Sequence, residues 1–353
     1  MKEWQDKIRR VTPYVPGEQP RDIGMIKLNT NENPYPPGPA IRTAGKEFDV
    51  DLLRLYPDPT IKGLVDVLAD YHHLGKDEVF VGVGSDDVLA TAFMTFFASD
   101  TPVLFPDITY SFYDVWAELF RIPYKTIPLD ENFRICPKDY DIPCGGLVIA
   151  NPNAPTGVYE NVEFIEEMVI SHSDCIVIVD EAYVDFAPDT ALRLIHKYDN
   201  LVIVRTFSKS RSMAGMRIGY AMAQPELIKA MNDVKYSYNS YTLNSTSIEY
   251  GKASVLQEEY FRENIAKIVN TRENAKKRFA ELGFRFPDSQ TNFLFVTHPD
   301  KSAAEIMNEL RERHIYVRRF PNNPRISEYL RITMGTDEEM EIVYKALKEI
   351  LGK

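Results

Sequence analysis

From about residue 60 the chain alternates between two textures. Short, continuous apolar runs rich in β-branched residues occupy 79–83, 103–105, 146–150, 175–179 and 201–204. Runs that are continuous rather than alternating predict strands buried on both faces, as in a largely parallel sheet. Between them lie amphipathic segments. In 87–97 the apolar residues Val88, Leu89, Ala92, Phe93, Phe96 and Phe97 recur at helical spacing, and Ser85 or Asp86 is placed to cap the start. The alternation predicts an α/β domain with right-handed crossovers.

The two ends read differently. The stretch Thr30-Asn31-Glu32-Asn33-Pro34-Tyr35-Pro36-Pro37-Gly38-Pro39 excludes a regular helix, because proline removes donors and biases its predecessor to extended geometry. Such an arm is a loop or a subunit-wrapping segment. After about residue 245, helical text fills 254–282. Strand-like 291–296, a helix over 302–313 and strand-like 315–318 and 329–333 follow. The last helix opens on a capping box, Thr336-Asp337-Glu338-Glu339, and Met340, Val343, Tyr344, Leu347 and Leu351 mark one face. That is the texture of an α+β second domain.

Composition narrows the class. The 353 residues suit two domains or one large α/β unit. A net charge of −11 argues against a general nucleic-acid binder. The three cysteines, Cys136, Cys144 and Cys175, show neither CxxC nor metal-finger spacing, so the expectation is free thiols, no metal and a reducing cytoplasm. No apolar run approaches membrane-spanning length. Residues 1–11 lack the apolar stretch of a signal peptide.

Four segments carry candidate chemistry. Gly82-Val83-Gly84-Ser85 joins a strand to a helix, where free N–H groups favour an anion; an ordinary βα turn has the same text. Asp180 ends the run Val177-Ile178-Val179, at the carboxyl edge where open α/β sheets bind ligands; it is a solvated cap or a buried anion that needs a cationic partner. Thr206-Phe207-Ser208-Lys209 through Arg217 combines hydroxyls, an arginine and one lysine. The hydroxyls and Arg217 suit phosphate, and a desolvated lysine suits Schiff-base chemistry. Arg331 and Arg318 sit in strand-like runs, as water-facing edge residues or as an anion clamp.

Taken together, Asn151-Pro152-Asn153-Ala154-Pro155-Thr156-Gly157, Asp180-Glu181-Ala182-Tyr183, Ser208-Lys209 with Arg217, and Arg331 resemble the fold-type-I, pyridoxal-phosphate-dependent aminotransferases over nearly the whole chain. Within them the text looks most like the histidinol-phosphate aminotransferase family. Pro13-Tyr14-Val15-Pro16-Gly17, Leu28-Asn29-Thr30-Asn31-Glu32-Asn33-Pro34, Tyr56-Pro57-Asp58, Thr109-Tyr110-Ser111 and Leu330-Arg331-Ile332-Thr333 carry that likeness.

The resemblance implies a mostly parallel sheet in a large cofactor-binding domain (41–245). It also implies an N-terminal arm (1–40) and a small C-terminal domain (246–353), the small domain drawing on both chain ends. Lys209 would bind pyridoxal phosphate as a Schiff base and shuttle the proton. Asp180 would pair with the pyridinium nitrogen and Tyr183 with the phenolic oxygen, while Tyr110 would stack on the ring. Gly84, Ser85, Asp86, Thr206, Ser208 and Arg217 would cradle the phosphate, joined by Tyr56 from the partner of a homodimer. Tyr14, Asn31, Arg318 and Arg331 would bind substrate. The family's usual asparagine on the phenolic oxygen is Ala154 here, so Asn153 would substitute or Tyr183 would act alone. Histidinol phosphate and 2-oxoglutarate are the implied substrates, a phosphorylated amino alcohol or amino acid and a 2-oxo acid, in ping-pong order. An aromatic amino-acid aminotransferase and a threonine-phosphate decarboxylase-like enzyme share these motifs. The aromatic text Tyr236-Ser237-Tyr238-Asn239-Ser240-Tyr241 has no place in this scheme.

Overall fold

A computed structural model describes residues 3–353; Met1 and Lys2, which open the charged N-terminal stretch, lie outside the described residues. In chain order the strands are β1 (Ile26–Lys27), β2 (Val79–Gly82), β3 (Val103–Pro106), β4 (Tyr124–Ile127), β5 (Gly146–Ala150), β6 (Val177–Asp180), β7 (Leu201–Thr206), β8 (Gly219–Ala223), β9 (Phe293–Val296), β10 (Ile315–Tyr316), β11 (Arg318–Arg319) and β12 (Leu330–Thr333). Seven of them form one sheet in the order β2-β8-β7-β6-β5-β3-β4. Pairs from β7 to β4 are parallel, and β8 runs antiparallel to both its neighbours.

The continuous apolar runs are explained by the two faces of this sheet. Leu147, Ile149, Val177, Val179, Leu201 and Ile203 feed one apolar layer, while Val148, Ile178, Val202 and Val204 feed the other. Successive residues of a strand point to opposite faces, so a strand covered on both sides is apolar at every position. Each fully buried Val, Leu or Ile stabilises the fold by about 1.5–3 kcal/mol. The edge strand β4 exposes Tyr124, Lys125 and Thr126 and buries only Ile127.

The register places the carboxyl ends of β5, β6 and β7 side by side, with Ala150 opposite Asp180 and Asp180 opposite Val204. The helix after β2 runs Gly84–Phe96 and so begins before the expected position 87. Ser85 and Asp86 lie in its first turn and do not cap it. The Asp87 carboxylate instead accepts from the Val83 N–H at 2.9 Å. Gly84, at φ +83°, makes the abrupt turn from strand to helix possible.

Beyond residue 245 the helical text is two helices, Ser245–Val255 and Glu258–Glu281. Between them the Gln257 side chain accepts from the Ala40 N–H at 2.9 Å, tying the junction to the start of the chain. Strand-like 315–318 also divides: β10 pairs in parallel with β1, and β11 pairs with β12 in the sheet β11-β12-β9. Ile26 and Leu28 thereby share a core with Phe279, Leu294, Ile332 and Leu347. The helices Ala303–Glu312 and Asp337–Leu351 each start on a capping box, Ser302 with Glu305 and Thr336 with Glu339.

Candidate active site

A cavity of about 200 Å³ opens over the carboxyl ends of β5, β6 and β7. Asp180, Ser85, Asp86, Tyr110, Tyr183, Thr206, Ser208, Lys209 and Arg217 line it, so residues spread over more than 130 positions of sequence converge. It adjoins a cavity of about 680 Å³ that shares Tyr110, Tyr183 and Lys209 and is also lined by Tyr14, Asn31, Arg318 and Arg331.

Asp180 forms the floor. Its two oxygens accept from the Tyr113 hydroxyl at 2.8 Å and the Ala182 N–H at 3.1 Å. Both donors are neutral. Burial pushes its carboxyl up to about 6, against the pull of those hydrogen bonds. A buried carboxylate without a cation is costly, and a pyridinium N–H fits the need. Tyr113 has no part in the sequence expectations; only the folded chain shows that a helix residue reaches the end of β6.

At the opposite wall Arg217 meets the first turn of the helix Gly84–Phe96. A Cβ on Gly84 would stand 2.6 Å from Arg217 Nη2, and one on Gly219 would stand 2.3 Å from Gly84 C and Ser85 N. The two glycines therefore let helix amides, guanidinium and the hydroxyls of Thr206 and Ser208 crowd one corner, a cradle for a phosphate. Arg217 donates to Asp86 at 2.9 Å, and Asp86 also accepts from the Tyr110 hydroxyl at 2.7 Å. Burial and the Asp86 charge push the Tyr110 hydroxyl well up, so it stays a donor.

Lys209 lines the same cavity, and its amine donates to the Thr30 carbonyl at 3.0 Å. Asn31, held at φ +57°, donates to the Tyr183 hydroxyl at 2.8 Å, which leaves that hydroxyl's own proton free to be donated. The residues present therefore fit pyridoxal phosphate: an amine, a carboxylate for the ring nitrogen, a phenol for the ring oxygen and an anion cradle.

Two expectations are corrected. Asn153 does not face the cavity. Its amide donates to the Ile108 carbonyl at 2.9 Å and to Thr156 at 3.0 Å, and its oxygen accepts from Thr109 at 2.8 Å, so its polar atoms are used in tying its own loop to the loop after β3. Ala154 and Pro152 line the cavity instead, without a side-chain donor. Arg331 is not a water-facing edge residue, because β12 is the central strand of its sheet. Its guanidinium lies over the Phe293 and Phe320 rings at 5.4 and 5.6 Å and donates to the Asn29 carbonyl at 3.1 Å. Its Nε is buried without a partner. An anion from the larger cavity would satisfy it. Arg318, paired with Arg331 in register, is more exposed and donates to the Val15 carbonyl at 3.2 Å.

Tyr56 lies apart from this cavity. It is 82% exposed, packs against Tyr241 with ring centroids 4.7 Å apart and planes tilted by 31°, and lines a separate groove of about 730 Å³.

Comparison with known proteins agrees with this geometry. The family described as aminotransferase class I and II matches residues 23–347. A histidinol-phosphate aminotransferase of Lactococcus lactis subsp. lactis (strain IL1403) is 49% identical over 350 residues, covering 99% of this chain and 97% of that protein. One from Acinetobacter baylyi is 47% identical, with 99% and 97% covered. Among solved structures, histidinol-phosphate aminotransferase from Sinorhizobium meliloti, in complex with pyridoxal-5'-phosphate, superposes with a TM-score of 0.83 at 23% identity, over 93% of this chain and 91% of that one. L-threonine-O-3-phosphate decarboxylase from Porphyromonas gingivalis gives 0.79 at 21% identity, over 93% and 100%, which shows the shared fold. With its family profile matched over nearly its full length and such relatives at close to half identity, the chain belongs to the class I and II aminotransferases, among the histidinol-phosphate aminotransferases.

Proposed function

We propose that the chain moves an amino group from histidinol phosphate to 2-oxoglutarate, with pyridoxal phosphate held on Lys209. The observation that carries this reading is that Lys209 lines both the cavity floored by the buried, cation-seeking Asp180 and the adjoining cavity lined by Arg331, whose Nε is buried without a partner. Bound pyridoxal phosphate supplies an electron-poor ring that accepts the electron pair left when a Cα proton departs.

The chain's own residues do the rest. Asp180, ionised, binds and orients the ring N–H. Tyr183, itself held by Asn31, donates to the ring oxygen. Tyr110 covers one ring face with a flat, buried phenol. The amides at Gly84, Ser85 and Asp86, with Thr206, Ser208 and Arg217, hold the phosphate. Lys209 Nζ, free once the substrate amine has replaced it, would take the Cα proton and return it to a neighbouring carbon, with the Thr30 carbonyl placed to accept from the ammonium in between. Arg331, with Arg318 beside it, grips the phosphate of one substrate and a carboxylate of the other, which one planar guanidinium can do. Tyr14 and Asn31 line the same side.

The active unit is proposed to be a homodimer. Leu52, Leu55, Tyr56 and Leu256 are exposed and line the 730 Å³ groove, with Val50 and Leu53 exposed nearby in sequence, and Tyr56 does not line its own chain's cavity. A second copy would bury this surface and bring Tyr56 to the partner's phosphate cradle. The division into an arm (1–40), a cofactor domain (41–245) and a C-terminal domain (246–353) belongs to the same reading, supported by the β1–β10 pairing that joins the chain ends. No helix among the described residues is long and apolar enough to cross a membrane. A cytoplasmic location is proposed with it, on the strength of the three free cysteines.

A steady-state assay with histidinol phosphate, phenylalanine and tyrosine as competing donors tests the substrate. Histidinol phosphate is expected to win. Preference for an aromatic amino acid, or carbon dioxide release from a phosphorylated amino acid, would overturn the reading.

A further inference from the structure

We propose that Tyr113 is a positioning residue for Asp180: its buried hydroxyl pins one carboxylate oxygen and holds the group ionised and aimed at the ring nitrogen. The inference rests on the proposed role of Asp180 and goes one residue beyond it.

Tyr113 opens the helix Tyr113–Phe120 and is fully buried. Its ring is fixed by four aromatic neighbours, with Phe105 and Tyr110 edge-on at 5.7 Å each, Phe93 stacked at 6.2 Å and Trp116 tilted at 6.3 Å. A phenol so held has little freedom, and its hydroxyl meets Asp180 Oδ2 at 2.8 Å. The other oxygen takes the Ala182 N–H, so the carboxylate plane is set from two sides by groups on different elements. An oxygen that accepts one hydrogen bond keeps a second lone pair, and that one remains for a ligand N–H.

A hydroxyl that donates to a carboxylate stabilises the charged form and lowers its proton affinity. The other groups around Asp180 do not replace it. Asp86 and Glu181 are acidic and push the other way, and Tyr110 is engaged with Asp86. Arg217 is paired with Asp86 as well, and Lys209 donates to Thr30. Tyr113 itself stays protonated, since burial and the nearby Asp180 charge push its hydroxyl well up. Tyr113 is thus a side-chain donor dedicated to keeping Asp180 an anion in a dry site.

The test follows Asp180 directly in the full chain without cofactor. Difference infrared spectroscopy tracks the carboxylic acid C=O band across pH, and Asp180→Asn identifies the band by removing it. Tyr113→Phe keeps the ring and removes the donor. It is expected to raise the Asp180 midpoint by about one pH unit, a tenfold change in proton affinity. A site-specific 3-fluorotyrosine at position 113, a stronger donor of the same shape, is expected to lower it. Should Tyr113→Phe fail to fold, the fluorotyrosine arm decides alone. A midpoint that moves in neither variant overturns the proposal. Pyridoxal phosphate affinity, read by fluorescence titration, separates the two readings. A shifted midpoint with no binding by the wild-type chain contradicts the Asp180–ring pairing and leaves the Tyr113–Asp180 link standing. Binding by both chains with an unmoved midpoint does the reverse.

Discussion

The Arg205 guanidinium and the Glu181 carboxylate meet at 2.9 Å behind the residues that floor the cavity. Glu181 directly follows Asp180 and Arg205 directly precedes Thr206, so the pair ties the ends of β6 and β7 on the face opposite the cavity. Their side chains are almost completely buried, and the Thr190 hydroxyl and the Ala191 N–H complete the carboxylate's hydrogen bonds. Breaking a buried pair leaves an uncompensated charge. Glu181→Ala or Arg205→Ala should therefore destabilise the chain by roughly 3–5 kcal/mol. The double Glu181→Met, Arg205→Met variant should recover most of that loss. Urea unfolding checks both. A double variant as unstable as the sum of the singles would mean that the pair matters for more than neutralising charge.

Asp180 should work against the stability of the chain when no cofactor is bound. Its folded value of about 6 lies above the ordinary 3.8, so the folded state binds the proton more tightly than the unfolded one. The stability this confers is full below about pH 4, the unfolded value, and is lost as pH rises through the folded value. Asp180→Asn should accordingly be more stable than wild type by about 1–3 kcal/mol above pH 6 and lose that advantage toward pH 4. Thermal unfolding at a series of pH values measures it; an advantage constant with pH would remove the ionisation argument.

On the proposed shared clamp, in which one guanidinium serves a phosphate in one half-reaction and a carboxylate in the other, Arg331→Ala should weaken both substrates, roughly 2–5 kcal/mol each. Half-reaction kinetics with each substrate alone separate the two effects. Weakening of one substrate only would mean the clamp is not shared.

If Tyr56 completes the partner's site, two defective chains can rescue each other. Mixing Lys209→Ala with Tyr56→Ala should generate heterodimers with one site carrying both substitutions and one carrying neither. Activity above the sum of the separate variants is expected. No gain on mixing, with subunit exchange verified, would place Tyr56 outside the partner's site. Tyr241, packed against Tyr56, should matter for the same reason: losing that contact costs about 0.5–1.5 kcal/mol of support for the Tyr56 ring.

Much of the sheet was legible because burial on both faces leaves a mark at every position of a strand: β5 matches its expected run from end to end. Helix starts were less so. Gly84 supports either a loose loop or a sharp turn into a helix, and only the packing of Gly219 against its backbone decides. The cavity residues expected from the motifs converge, because motifs at strand ends inherit the register of the sheet. Asn153 does not, since its side chain is taken up by Ile108 and Thr109 of a loop more than 40 positions away, which no local text announces. The Tyr113–Asp180 contact joins residues 67 positions apart, so no spacing within either segment announces it. The aromatic text at 236–241 gains an explanation: the Tyr236 hydroxyl and the Lys235 amine both donate to the Pro59 carbonyl, at 3.3 and 2.9 Å, and Tyr241 backs Tyr56. Together they brace the loop that presents Tyr56.

In the proposed mechanism Lys209 both holds the cofactor and moves the proton. The most direct measurement is amino transfer from histidinol phosphate to 2-oxoglutarate by the Lys209→Ala variant saturated with pyridoxal phosphate, with the absorbance of the protein-bound cofactor recorded alongside. The account predicts loss of turnover and loss of the band that marks covalent attachment. Transfer at the wild-type rate would contradict it.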